Sequence, residues 1–370
     1  MASAPRIIDL YAGVGGLSLG AARAGFHIQC AVELDKHAVG AHAINFPSTN
    51  HLQSDVARLN GKRLLELSGL STGTLSGLIG GPPCQGFSEI GHRCAEDPRN
   101  NLFVDFFRLV KETRPAFFLA ENVPGILDSR NSKVVSASFA QVPKQYRILE
   151  PITVKANEYG APTSRTRVFF YGYDPERVER LDKEDFAPPV VQDVRVKNAL
   201  ELLPAVRASW QSEAQSWRAV GQLGDSEFHT RIADVVPARV GDPDALARYR
   251  KHRLVSGFLG TVHQAATIRR FDELGPGETD RVSKCVRLDR EGYCPTLRAG
   301  TGPDRGSYQA IRPVHPISPR VITPREAARL QGFPDWFQFH PTKWHAFRQI
   351  GNSVSPIVAE ALLGRIRVAM

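Results

Sequence analysis

The apolar run Ile7–Leu10 leads straight into Tyr11-Ala12-Gly13-Val14-Gly15-Gly16 and then into an Ala-rich stretch, Gly16–Gly25. A strand, a glycine turn and a helix in that order open a nucleotide-binding α/β unit, because a turn with little side chain lets a ligand reach the helix N-terminus. The Gly-x-Gly-Gly turn lacks the third glycine of the dinucleotide fingerprint, which fits a cofactor without a pyrophosphate. Taken alone, the turn also fits an ordinary tight bend. Glu33 follows the next apolar run, Ile28–Val32, where an acid can accept hydrogen bonds from both ribose hydroxyls. Asp55 follows a polar stretch and is placed to serve an adenine amino group.

The same alternation continues to about residue 175. Leu75–Ile79, Ala116–Leu119, Arg147–Val154 and Val168–Tyr171 read as short strands, and Asn101–Thr113 has helical spacing through Leu102, Phe103, Phe106, Phe107 and Val110. Strands alternating with helices predict a parallel sheet. Charged and Pro-rich sequence over Asp174–Pro189 marks a boundary, and 190–318 shows no strong period. Thr323–Gly332 reads as a helix, with Thr323 as cap, Pro324 at the first position and Glu326 three residues on. Val354–Val368 reads as a final helix, expected to pack on the first domain beside the opening strand. A chain of 370 residues suits two domains. The division predicted is 1–185 with 346–370, and 186–345 with a hinge.

Two further segments carry chemistry. Gly80-Gly81-Pro82-Pro83-Cys84-Gln85-Gly86-Phe87-Ser88 puts a cysteine after two prolines on a glycine-flanked loop. Pro-Pro fixes two φ angles and removes two backbone donors, so the loop is stiff and aims its thiol; a turn holding a buried cysteine is the plainer alternative. Ala120-Glu121-Asn122-Val123-Pro124-Gly125 puts a carboxylate at the end of an apolar strand, where open α/β sheets place their sites, although a helix cap explains it equally. The other cysteines, Cys30, Cys94, Cys285 and Cys294, form no Cys-x-x-Cys pair, so neither a metal site nor a disulfide framework is expected, and Cys30 reads as core. The net charge of +9 points to a polyanion. Nine basic and three acidic side chains lie between Arg281 and Arg325, interleaved with Tyr293, Tyr308 and several glycines, which predicts a groove-facing surface. No apolar run reaches the ~18 residues that span a bilayer, and the start, Met1–Gly13, has no signal-type apolar stretch. A cytoplasmic, nucleoid-associated monomer of bacterial type is expected.

Together and in order, these segments resemble the DNA (cytosine-5)-methyltransferases. The match continues through Ser164-Arg165-Thr166-Arg167-Val168, resumes at Arg320–Pro334 and ends at Arg348-Gln349-Ile350-Gly351-Asn352-Ser353-Val354, leaving roughly 175–290 unmatched. The resemblance implies a Rossmann-like α/β domain that binds S-adenosylmethionine and releases S-adenosylhomocysteine, with a second, smaller target-recognition domain. It implies double-stranded DNA as partner and a restriction endonuclease acting separately. By resemblance Cys84 is the nucleophile, Glu121 serves ring nitrogen 3 of cytosine, Arg167 contacts the base oxygen, Arg165 supports the loop and backbone, and Asn122 orients the Cys84 loop. Tyr11, Gly13, Gly15 and Gly16 form the first-turn cofactor contacts, Glu33 holds the ribose, and Leu34 packs on adenine where the family often has an aromatic. Asp55, Val56, Pro83, Asn352 and Ser353 complete that site. Gln85, Ser88, Arg99, Thr296 and Arg298 are implied DNA contacts, and Ser88–Asn101 is the segment that closes over a flipped base. A tRNA-methylating relative would carry a Cys-Phe-Thr signature in its second domain, which this chain lacks. A non-catalytic DNA-binding module would have no use for Cys84, Glu121 and Arg167 together.

Overall fold

The structure, a computed structural model, describes residues 4–83, 101–206, 216–233, 235–299 and 312–370. Its centre is an eight-stranded sheet built from β1 (Arg6–Leu10), β2 (His27–Glu33), β3 (Asn50–Gln53), β4 (Gly77–Gly80), β5 (Phe117–Asn122), β6 (Arg147–Ile148), β7 (Ile152–Lys155) and β8 (Thr166–Tyr173). The order is β3-β2-β1-β4-β5-β8-β6, with β7 also on β8. Strands β1 to β5 pair in parallel, and β8 runs antiparallel to β5. The chain therefore winds outward from β1 through β2 and β3, then returns to place β4 on the other side of β1. That reversal makes the carboxyl ends of β1 and β4 the topological switch point, the position where such sheets bind ligands.

Helices α1 (Gly16–Arg23), α2 (Lys36–Asn45), α3 (Gly61–Leu67), α4 (Asn101–Thr113) and α5 (Ser132–Phe139) cover the sheet. On one face α4 buries Phe103, Phe106 and Phe107 against Phe118 and Phe170. Truncating one such ring to alanine costs about 3–5 kcal/mol. On the other face α1 packs against α12 (Pro356–Val368), which returns as the sequence predicts.

That second core is continuous with the later part of the chain. It includes Ile7, Leu17 and Ile357 together with Phe228, Val255, Phe258, Ile322 and Trp336. Between β8 and α12 lie α6 (Val196–Leu200), α7 (Glu227–Ala233), α8 (Pro243–His252), α9 (Ala265–Glu273), α10 (Pro324–Leu330) and α11 (Lys343–Asn352). A two-residue ribbon, Arg218–Ala219 against Leu254–Val255, lies among them. Helices of five to ten residues at most complete too few turns to show a period in sequence. The capping box of α10 forms as its sequence predicts: the Thr323 side chain meets the Glu326 amide at 3.3 Å, and Glu326 Oε2 accepts the Thr323 amide at 2.7 Å.

Two strand expectations change. Arg147–Val154 is not one strand but β6 and β7, both on β8, interrupted around Pro151, which has no amide to donate. β3 was not foreseen, because Asn50-His51-Leu52-Gln53 is a polar edge strand with no hydrophobic alternation. Cys30 is buried in β2, and burial pushes its thiol up to about 11, in keeping with a core role.

Candidate active site

The carboxyl edge of the sheet collects the predicted residues for a topological reason. β1 ends at the glycine turn, β4 ends at Gly80 before the Pro-Pro loop, and β5 ends in Glu121 and Asn122. β8 is antiparallel, so its amino-terminal end lies at the same edge: Asn122 is opposite Val168 and Glu121 opposite Phe169. Arg165 and Arg167 therefore arrive beside Glu121 although they lie more than forty residues later.

Glu121 is 8% exposed and its Oε1 lies 2.5 Å from Arg167 Nε. The Nε–H does not aim at that oxygen and has no hydrogen-bond partner among the described residues, so the contact is Coulombic. Arg167 Nη1 instead donates to the Thr166 carbonyl over 2.7 Å. Gly81 passes close by: a methyl there would stand 2.9 Å from Glu121 Oε2, so a larger residue would push this carboxylate from its place. Asn122 Nδ2 reaches the Pro82 carbonyl at 3.5 Å, and its Oδ1 accepts the Val123 amide at 2.8 Å. Pro82 is buried and Pro83 exposed. Cys84, Gln85, Ser88 and Arg99 lie outside the described residues, as does most of the closing segment.

Arg165 has a different position from Arg167. It is 3% exposed, and Nη1 donates to the carbonyls of Leu297 at 3.3 Å and Gly351 at 2.7 Å. Burial first, then the neighbouring Arg167, pull its proton affinity well below the usual guanidinium range, and Glu121 opposes them. The 294–298 strip is also tied to the start of this segment, since the Ser164 amide and Thr163 Oγ1 both donate to the Cys294 carbonyl at 2.9 Å. That strip presents Thr296 and Arg298 to solvent.

The glycine turn has an unusual backbone. Tyr11, Gly13 and Gly15 all have positive φ, at 56°, 56° and 101°. This backbone is costly at the non-glycine residue, and such strain gathers at binding sites. Tyr11 is held by its hydroxyl, which donates to the Leu102 carbonyl at 2.9 Å. A methyl on Gly16 would stand 2.3 Å from the Val354 carbonyl oxygen, so α1 begins in contact with Ser353 and Val354. Gln331 Nε2 fixes the same segment by donating to the Ser353 carbonyl at 2.8 Å, while Asn352 is exposed.

Glu33 closes the other side of the turn. Its Oε2 accepts the Gly13 amide at 2.9 Å, and its Oε1 accepts the amides of Leu34 and Asp35, both at 2.8 Å. Leu34 is 64% exposed, an apolar side chain left open beside this acid. Asp55 accepts the Ala57 amide at 3.1 Å. Val56 differs from its neighbours: its side chain is buried in the core and its carbonyl accepts from Arg108, so a ligand could meet only its remaining backbone.

Beneath the turn runs a polar chain that the sequence reading missed. Ser18 Oγ donates to Asp9 Oδ2 at 2.6 Å, His42 Nε2 lies 3.0 Å from Ser18 Oγ, and His42 Nδ1 lies 2.8 Å from His51 Nε2. Asp9 is fully buried and its Oδ1 has no partner among the described residues. Burial pushes its carboxyl up to about 7, with Ser18 opposing and Glu33 adding a little. Burial likewise holds His42 well below the usual imidazole range. The only sequence signal was an aspartate within an apolar strand.

The basic run is corrected in part. Arg287 donates to the carbonyls of Phe271, Asp272 and Leu274, Arg320 pairs with Glu326 at 2.7 Å, and Arg325 donates to Ser256, Pro334 and Phe337. All three are buried, so they hold the fold and cannot face a groove. Arg281, Lys284, Arg290 and Arg298 are exposed.

A family model of C-5 cytosine-specific DNA methylases matches residues 5–367. The type II methyltransferase M.XorII of Xanthomonas oryzae pv. oryzae is 36% identical over 98% of this chain and 84% of its own length. M.DdeI of Desulfomicrobium norvegicum is 33% identical over 97% and 88%. A crystal structure of an E. coli prophage-encoded protein, described as a candidate DNA modification methyltransferase, superposes with a TM-score of 0.90 at 48% identity, covering 99% of both chains. The family implies S-adenosylmethionine as methyl donor and DNA as substrate. With a Rossmann-like sheet, the glycine turn and Glu33 at its switch point, and Glu121 beside Arg167 at the same edge, the chain belongs to the C-5 cytosine-specific DNA methylase family and is a DNA (cytosine-5)-methyltransferase.

Proposed function

We propose that this enzyme rotates one cytosine of a specific duplex sequence out of the helix and methylates its carbon 5 through a covalent adduct with Cys84. Carbon 5 is a poor nucleophile until a thiolate adds to carbon 6. That addition forms the S–C6 bond and pushes the ring electrons toward carbon 5 and the N3–O2 edge. S-adenosylmethionine supplies the methyl group that carbon 5 then takes. Loss of the carbon-5 proton to a base restores the ring double bond as the S–C6 bond breaks, which returns the thiolate. Glu121 meets ring nitrogen 3 and Arg167 the exocyclic oxygen, where the charge develops. Because the target atom is stacked inside duplex DNA, the base must be extruded, at about a few kcal/mol.

The observation that carries this reading is the Glu121–Arg167 pair at 2.5 Å, held beside the Pro82 end of the loop that leads to Cys84. Arg165 acts through the backbone it braces, not on the base. The donor fits the crevice beside the turn, with Glu33 toward its ribose, Leu34 toward its adenine, and Tyr11, Gly13, Gly15, Gly16, Asp55, the Val56 backbone, Pro83, Asn352 and Ser353 around it. Residues 1–185 and 346–370 form the catalytic part and 186–345 the recognition part. Thr296 and Arg298, with Gln85, Ser88 and Arg99, contact DNA. Relatives named as type II methyltransferases support a restriction-modification setting, with a separate endonuclease cutting the unmethylated sequence. Bisulfite sequencing of DNA from cells expressing the chain tests this reading. Protection of one cytosine within one recurrent motif is expected, and uniform conversion refutes it.

A further inference from the structure

Cysteine spacing predicts no metal site, yet three histidines far apart in sequence meet at one point. His37 in the first turn of α2, His340 before α11 and His345 within it are half-buried, and each offers one ring nitrogen within 4.8 Å of the other two. The ring centroids stand 3.9 Å apart for His37 and His345, 4.4 Å for His340 and His345, and 4.7 Å for His37 and His340.

We propose that these three histidines bind one divalent transition-metal ion of the zinc class, which clamps α2 to the start of α11. Three nitrogens at ~2.0–2.1 Å from such an ion stand about 3.4 Å apart, so small ring rotations close the set. Three imidazoles leave a fourth position for water. Nitrogen ligands of this kind suit Zn, Cu and Ni better than Mg or Ca.

The scaffold around the rings is fixed. Gln349, 7% exposed, donates from Nε2 to the His37 carbonyl at 3.0 Å and accepts the His340 amide on Oε1 at 2.9 Å, so one buried amide registers two of the three ligand backbones. Arg348 pairs with Asp35, the cap of α2, at 3.1 Å, tying the same two elements. His340 Nδ1 accepts the Thr342 amide at 3.1 Å and lies 3.0 Å from Thr342 Oγ1, a hydroxyl that can donate or accept. An ion on Nε2 requires the proton on Nδ1, which can donate to Oγ1 as the usual second support of a ligating histidine but gives up the bond from the Thr342 amide. The clamp joins the helix that follows Glu33 to the helix that ends at Asn352, and so ties together two parts of the proposed cofactor site.

Untagged full-length protein stripped with chelator is titrated with Zn2+ by calorimetry and with Co2+ by visible absorption. One ion per chain is expected, with the intense absorption of a low-coordinate nitrogen site. His37→Ala and His345→Ala should each weaken binding on the order of 100-fold or more, beyond the 10–100-fold typical of losing a supporting contact. A variant that fails to fold leaves the wild-type Co2+ spectrum to decide. Absence of binding, a weak octahedral Co2+ spectrum, or affinity unchanged in folded variants overturns the proposal and leaves a cluster of stacked neutral imidazoles.

Discussion

Oε2 of Glu33 accepts the amide of Gly13 over 2.9 Å while Oε1 takes the amides of Leu34 and Asp35, so the acid that follows β2 is wired directly into the glycine turn after β1. Each carboxylate oxygen has two lone pairs. Oε1 is filled, and Oε2 keeps one for a ribose hydroxyl unless Gly13 lets go. Glu33 thus shapes the turn, which the sequence reading did not foresee, and the sugar contact proposed for it would use the lone pair left on Oε2.

Glu33→Ala should weaken S-adenosylmethionine binding by about 1.5–3 kcal/mol, the usual worth of hydrogen bonds to a charged group. Glu33→Gln should not rescue it, because an amide at the Oε2 position would face Gly13 N–H donor to donor. Titration calorimetry with the cofactor checks both. Wild-type affinity in Glu33→Ala would place the cofactor elsewhere.

Arg165 should report on stability before chemistry. Arg165→Leu strands the buried carbonyls of Leu297 and Gly351, at about 1–3 kcal/mol each. Thermal melting should fall by several degrees, with Arg165→Lys recovering part of the loss. Arg167→Leu, less buried and without those bonds, should lose less stability, chiefly by leaving Glu121 unpaired, yet lose methyl transfer. Equal melting losses in the two variants would contradict this division.

The basic run splits in the same way. Alanine at Arg281, Lys284, Arg290 or Arg298 should weaken binding to any duplex and reduce the salt slope by about 1 for each phosphate that is no longer neutralised. Alanine at Arg287, Arg320 or Arg325 should lower stability instead, because each is buried against carbonyls or a carboxylate. Fluorescence anisotropy across a salt series, run beside melting curves, separates the two groups.

Asp9 sets a pH dependence. Its carboxyl sits near 7 in the folded protein against an ordinary 3.8, so the folded state keeps a proton that the unfolded chain releases. Stability carried by that proton is present below about pH 4 and is lost as pH rises toward 7. Asp9→Asn keeps an acceptor for Ser18 and has nothing to ionise, so its stability relative to wild type should grow by about 2–4 kcal/mol between pH 4 and 8. Denaturant melts at several pH values check the slope; a constant gap would mean that Asp9 does not titrate there.

What sequence could and could not show follows from the range of each interaction. Strand, turn and cap are local, so β1, the glycine turn and the Thr323–Glu326 capping box were legible residue by residue. The proximity of Arg167 to Glu121 depends on β8 running antiparallel to β5, which no local pattern encodes; family resemblance supplied it. The structural arginines were misread because charge alone does not tell a phosphate contact from a buried brace. The histidine cluster joins residues some three hundred positions apart. β3 escaped because a polar edge strand has no alternation to read.

Covalent attack by Cys84 on carbon 6 can be trapped with a fluorinated base. Duplex DNA carrying 5-fluorocytosine at the methylated position is incubated with enzyme and S-adenosylmethionine, denatured, and the cross-linked peptide identified by mass spectrometry. Fluorine cannot leave as a proton does, so the adduct should persist, map to Cys84 and vanish in Cys84→Ser while that variant still binds cofactor and DNA. Absence of any adduct with an enzyme that methylates ordinary cytosine, or an adduct through Cys94, would contradict the account.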